Sequence, residues 1–191
     1  MDDRAVTTGE SVFESIETAG DEILVERACG GDTIAFEVLF RRHSPAVHAF
    51  LLRMCRNRSD AEDLTQEVFL KAWEHLAAFE GRSRLLTWLM GIAVGSYRTR
   101  TRAAIRRGHR QHAWYQQEIE RAEGSESDAE ELLDLERAIG RLPERARTVL
   151  ILNRIHGRTL SEVAEILGIS VGTCKAHIHR AKKLIRRELE R

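Results

Sequence analysis

A chain of 191 residues has room for one domain or two small ones, and its 30 basic residues balance 30 acidic ones to a formal net charge of zero. Cys29, Cys55 and Cys174 lie far apart with no C-x-x-C pair, which argues against a disulfide framework and fits a reducing cytoplasm. Apolar runs are too short for a transmembrane helix, and the acidic N-terminus is not a secretory signal.

The neutral total conceals segregation. The first residues are acidic. Residues 81–117 contain no acid, while Arg82, Arg84, Arg98, Arg100, Arg102, Arg106, Arg107 and Arg110 accumulate there. Residues 118–136 reverse the sign, with Arg121 as their single base, and the C-terminal stretch is basic again. Two separated basic stretches suggest two contacts along a polyanion.

Taken in order, the predicted elements are all helical. Pro45 and Pro143 are the only prolines, and strand-like alternation is scarce. Residues 1–20 read as a disordered tail, in which Val12, Phe13 and Ile16 could form a turn on a partner. A short helix runs from Asp21 to the Gly30-Gly31 stop. Asp32 caps the next, which carries Phe36, Leu39 and Phe40, and Ser44-Pro45 marks a kink or restart before Val47, Phe50, Leu51 and Met54. Ser59 with Glu62 makes a capping box for a helix that points Leu64, Val68, Phe69, Ala72, Trp73 and Leu76 inward. Its opposite side carries Asp60, Asp63, Gln66, Glu67, Leu70 and Glu74, acids around an outward leucine, which suggests docking of a basic partner or a plain solvated face.

A loop, Phe79-Glu80-Gly81-Arg82-Ser83, leads into an arginine-rich helix from about residue 84 to 107. Arginines neutralise phosphate, and Trp88 or Tyr97 could stack on an unpaired base; core packing is the competing role for Trp88. Residues 113–129, charged and containing Gly124-Ser125, read as a flexible linker too polar to hold two domains together. Four helices follow, at about 130–140, 143–156, 159–167 and 171–189, with Pro143 opening and Gly157 closing the second.

The last two form a helix-turn-helix. Leu160, Val163, Ala164 and Leu167 are the buried stripe of its first helix, Gly168 makes the turn, and Ser170 caps the second. Cys174, Ile178, Ala181 and Ile185 face inward. Gly172, Ala176, His179, Arg180, Lys183 and Arg187 face outward, with no acid between residues 166 and 187. Small residues first and donors after suit a helix entering the major groove of DNA. Neither a metal-ligand cluster, a phosphate loop nor a nucleophile motif occurs, so the expectation is no enzyme, no catalytic residue, no metal and no cofactor. The residues leave open a polymerase-dependent initiation factor and a self-sufficient DNA-binding regulator.

Two motif groups narrow the choice. Asp60-Ala61-Glu62-Asp63-Leu64-Thr65-Gln66-Glu67-Val68-Phe69, with Thr87-Trp88-Leu89 and Ile92-Ala93, resembles region 2 of the sigma-70 family. Leu142-Pro143-Glu144-Arg145 and Ala164-Glu165-Ile166-Leu167-Gly168-Ile169-Ser170-Val171-Gly172-Thr173 resembles its region 4. The short linker is similar to that of the extracytoplasmic function (ECF) group.

This resemblance implies two helical domains, region 2 at residues 21–112 and region 4 at 130–191, in a cytoplasmic factor that directs promoter recognition. Its implied partners are core RNA polymerase (β′ clamp helices and β flap), promoter DNA and an anti-sigma factor, with no membrane insertion. Asp60, Asp63, Gln66, Glu67 and Leu70 would bind polymerase. Phe79, Glu80, Gly81, Arg82, Ser83, Trp88 and Arg98 would open and read the −10 element. Thr173, Lys175, Ala176, His179, Arg180 and Lys183 would read the −35 element. The chain departs from the family at Val94-Gly95, where Arg-Asn is common and the Asn is linked to −10 recognition.

Overall fold

The computed structural model describes residues 16–106 and 128–190, and every regular element among them is helical. A first unit comprises α1 (Asp21–Cys29), α2 (Thr33–Cys55), α3 (Arg58–His75), a 3₁₀ turn (Leu76–Ala78) and α4 (Leu85–Arg106). A second comprises α5 (Asp128–Gly140), α6 (Glu144–Leu150), a π-helical turn (Ile151–Ile155), α7 (Leu160–Leu167) and α8 (Val171–Leu189). Apart from its last residues, which begin α5, the expected linker lies outside the described residues.

Order begins earlier than residue 21. Ile16 is buried, and the carbonyls of Glu17 and Ala19 each accept from Arg42 Nη2 at 3.0 Å. Residues 16–20 therefore belong to the first unit, because an apolar anchor and two charge-assisted bonds hold them; Val12 and Phe13 lie outside the described residues. Asp21 ties α1 to α2 through Arg42 (2.6 Å) and His43 Nε2 (2.8 Å).

Asp32 caps α2 as its position predicts, accepting from the amides of Ile34 (3.0 Å) and Ala35 (3.1 Å), with the Ala35 bond the main reason its carboxyl stays below the usual range. Pro45 does not break the helix. A proline in a helix removes one donor and costs about 3 kcal/mol. Here the apolar stripe continues on both sides of it, with Ala35, Val38 and Leu39 before and Val47, Phe50, Leu51 and Met54 after, all buried. Each large side chain so buried contributes about 1.5–3 kcal/mol, enough together to carry the helix through. Arg56, in the left-handed region at φ 55°, ends it.

The start of α3 differs from the expected Ser59–Glu62 box. Asn57 is the cap, accepting from Asp60 N–H at 2.8 Å, and Glu62 instead pairs with Arg58 at 2.9 Å. Trp73 is not core either: it is 39% exposed, edge-on to Phe36 at 4.8 Å.

The two units share one apolar core, which joins Phe50, Leu51 and Met54 of α2 and Tyr97 of α4 to Val149, Ile151, Leu152 and Val163. The expectation that a polar linker leaves the domains apart is thus overturned. The helices themselves make the junction, whatever the linker's polarity. Arg147 Nη2 donates to Tyr97 Oη at 3.0 Å, Thr87 Oγ1 donates to Glu162 Oε1 at 3.3 Å, and Phe50 meets His156 edge-on at 6.0 Å. The π turn brings His156 to that position, where burial first, and then Arg53 and Arg158, push its pKa down to about 4.

Candidate nucleic-acid interface

The second unit builds its exposed basic helix from local signals. Thr159 and Glu162 form a reciprocal capping box at the start of α7, with Glu162 N–H donating to Thr159 Oγ1 (3.2 Å) and Thr159 N–H to Glu162 Oε2 (2.7 Å). The Thr159 N–H bond, more than any other contact, holds the Glu162 carboxyl below the usual range. Gly168 turns the chain at φ 62°, and Ser170 starts α8 by accepting from Thr173 N–H at 3.0 Å. Cys174, Ile178 and Ala181 then fasten α8 to the core.

That register leaves Thr173, Lys175, Ala176, His179, Arg180 and Lys183 all exposed, as expected. Thr173 Oγ1 lies 2.9 Å from Ser170 Oγ, so the residue is held by the cap it would use to meet a phosphate. Among the described residues, the α8 cations from Lys175 to Arg187 make no ion pair with the protein, and the first acid of the helix, Glu188, is taken by Arg141. Unpaired guanidinium and ammonium groups with bare backbone at one end match the chemistry of phosphate and base edges.

In the first unit, α3 shows its acids outward, but they are already paired. Arg100 of α4 reaches Asp60 (2.6 Å) and Asp63 (3.3 Å). Lys71 pairs with Glu67 and also donates to Ser96 Oγ at 2.9 Å, and its hydrogen bond holds Glu67 below the usual carboxylate range. Gln66 is exposed and Leu70 is 65% exposed. Both line an open groove of about 440 Å³ with Thr33, Phe36, Phe40, Phe69 and Trp73. Phe36 and Phe40, four residues apart on one helix face, form one wall of that groove.

The loop before α4 brings part of the third residue group together. Phe79 packs on Trp88 with ring centroids 5.4 Å apart, Glu80 pairs with Arg82, Gly81 takes φ 68°, and Ser83 is half-buried. Trp88 is half-buried and divided between the core and the surface. Arg98 stands ten residues further along α4, about 15 Å along the axis, and its Nε is 3.7 Å from Glu144 Oε1 of the second unit. Tyr97 is unavailable for stacking on a base, being buried under Arg147.

No group of three or more metal-ligating side chains that could hold an ion occurs among the described residues. Burial pushes the Cys55 thiol up to about 12, so it is not a nucleophile. No described helix is long and apolar enough to cross a membrane.

Comparison with known proteins gives two family matches in chain order: residues 39–115 match Sigma-70 region 2, and residues 132–185 match Sigma-70, region 4. The ECF RNA polymerase sigma-E factor of Haemophilus influenzae is 31% identical over 185 residues, covering 91% of this chain and 97% of the relative. The ECF RNA polymerase sigma-E factor of Escherichia coli is 33% identical over 184 residues, covering 88% and 94%. Among solved structures, CnrH in complex with the cytosolic domain of CnrY matches at 25% identity with a TM-score of 0.67, over 89% of this chain and 97% of that one. The sigma factor RpoE of Bartonella quintana, in complex with the anti-sigma factor NepR, matches at 26% identity with a TM-score of 0.66, over 81% and 96%.

Proposed function

The chain belongs to the ECF group of the sigma-70 family, and from that premise we propose how its surfaces divide the work of an RNA polymerase sigma factor. It binds core RNA polymerase, directs promoter recognition and transcription initiation, and is held in check by an anti-sigma factor. It supplies recognition rather than catalysis. Region 2 is the first unit, from Ile16, and region 4 is the second.

In this reading α3 docks the polymerase through Asp60, Asp63, Gln66, Glu67 and Leu70. Phe79 to Ser83, with Trp88 and Arg98 of α4, engage the −10 element. Thr173, Lys175, Ala176, His179, Arg180 and Lys183 of α8 lie in the major groove at the −35 element. The observation that carries the reading is the α8 face: six residues chosen from sequence are all exposed, with no ion-pair partner for their charges among the described residues.

The test is Asp63→Arg with Gln66→Ala. Co-elution with core polymerase is expected to fall at least about tenfold, the size of one reversed, partly desolvated charge contact, while the circular dichroism spectrum is unchanged. Undiminished co-elution would remove α3 as the docking helix.

A further inference from the structure

We propose that His179 meets DNA as an imidazolium, so that the −35 contact of α8 takes up a proton and weakens as the pH rises. This rests on the assignment of α8 to the −35 element and adds a ligand chemistry to it: acceptor oxygens or nitrogens facing a ring that donates from both sides. Arginine and lysine side chains keep their charge near neutral pH. Histidine is the side chain whose charge changes between about pH 5 and pH 8, and only its protonated form donates from both ring nitrogens.

The surroundings of His179 fit this role. Lys175 and Lys183 lie one turn away on either side and Ala176 one turn before, and all four are exposed. The small Ala176 lets the helix approach the duplex, and the next turn then brings the imidazole to it. No described residue gives the His179 ring a hydrogen bond or an ion pair. Charges on the helices packed against α8 are engaged elsewhere. On α5, Arg137 pairs with Asp134, Glu136 approaches Arg53, and Arg141 takes Glu188. On α6, Glu144 faces Arg98 and Arg147 donates to Tyr97, while on α7 Glu162 is held in its capping box. Arg145 of α6 and Glu165 of α7 are exposed, and neither is paired with His179. An imidazolium at this position therefore gains its counter-charge when a polyanion arrives.

Linkage gives the sign. A complex that holds one proton more than the free chain gains affinity as the pH falls, by up to about tenfold per pH unit. A phosphate oxygen and the O6 and N7 atoms of guanine are both acceptors that the ring can meet. Two other histidines of the second unit are distinguishable from it. His156 is pushed down to about 4 by burial first, and then by Arg53 and Arg158, so it stays neutral near pH 7. His177 is half-buried and, two residues earlier, lies on the other side of the helix.

The test measures the affinity of the full chain, bound to core RNA polymerase, for labelled duplex DNA at about pH 6 and about pH 8. One duplex is selected from a random library by the wild-type complex; the other has the same bases in shuffled order. Wild type is expected to bind the selected duplex about tenfold more tightly at the lower pH. His179→Gln should lose that difference, His179→Arg should keep the tighter value at both pH values, and His177→Gln should behave as wild type. A difference confined to the selected duplex identifies a base edge as the acceptor, and one shared by both duplexes identifies a phosphate. No difference in wild type, a difference that survives in His179→Gln, or one that is lost in His177→Gln instead, would overturn the proposal. Arg180→Ala separates it from the assignment it rests on. If that variant binds the selected duplex as tightly as wild type, α8 is not the reading helix and both fall. If it binds more weakly while His179→Gln retains the pH dependence, the proton-linked contact falls alone.

Discussion

The outward faces of α3 and α8 are both charged, yet they are prepared for their partners in opposite ways. The α3 acids are neutralised within the first unit, Asp60 and Asp63 by Arg100 and Glu67 by Lys71. The α8 cations have no such partners among the described residues. A partner docking on α3 must displace cations already in place, which makes that contact an exchange, with Leu70 and the aromatic groove supplying the net gain. A polyanion meeting α8 displaces only water and mobile ions, so its binding falls steeply with salt. On the proposed assignment of these faces, the same charge density gives a shape-dependent protein contact on one side and a salt-dependent nucleic-acid contact on the other.

The largest effect that would sharpen this contrast is at Arg180. Arg180→Ala is expected to remove about 1–3 kcal/mol of discrimination at one −35 position, read as a changed preference in transcription from a promoter library. Lys183→Ala should instead weaken all promoters alike and make the salt slope shallower by about 0.9. A uniform loss for both variants would reduce α8 to a phosphate binder.

Arg100 offers the next test, with an unusual sign. The Arg100 pairs are part-exposed, so each is worth about 0.2–1 kcal/mol. Removing that competitor by Arg100→Gln should tighten core polymerase binding severalfold in a titration. Weaker binding would mean that Arg100 holds the acids in their docking geometry, and the exchange picture would fail.

The smallest effects come from two helical glycines, Gly95 on α4 and Gly172 on α8. A Cβ at Gly95 meets nothing within 4 Å, and one at Gly172 meets only Ser170 Oγ at 3.6 Å. Alanine at either should raise stability by about 0.4–1 kcal/mol, seen as a small rise in Tm. Gly172→Ala alone should also reduce duplex binding, since on the proposed assignment its methyl group would stand where the backbone approaches DNA.

The parts of this molecule that were legible in sequence are those decided within four residues. Asp32, Gly168 and Ser170 act where their chemistry says they should, and they set the register that exposes Ala176, His179 and Arg180. Ser59 misled because Asn57, two residues earlier, caps first by accepting from the Asp60 amide, and the helix starts at Arg58. Pro45 misled because its local cost is offset by apolar positions spread over five turns of α2. Trp73 and Tyr97 exchanged expected roles for a nonlocal reason. What covers an aromatic depends on which helix arrives from elsewhere, and α6 arrives over Tyr97 while nothing among the described residues closes over Trp73. The polar contacts of the junction left no periodic trace, since Thr87, Tyr97, Arg147 and Glu162 are mixed polar residues on three helices.

The shared core has a consequence for how long the protein lasts. Two units that bury one apolar cluster do not have separate stabilities; while closed, each borrows cooperativity from the other, and heat or denaturant should melt them as a single transition. A partner that pulls the two units apart would give up that mutual support and have to replace it with its own contacts, whereas one that binds them packed together adds to it by mass action. Turnover by proteases follows the population of opened chains. A partner that keeps the two units packed together should therefore also slow proteolysis of this chain, and one that separates them should not.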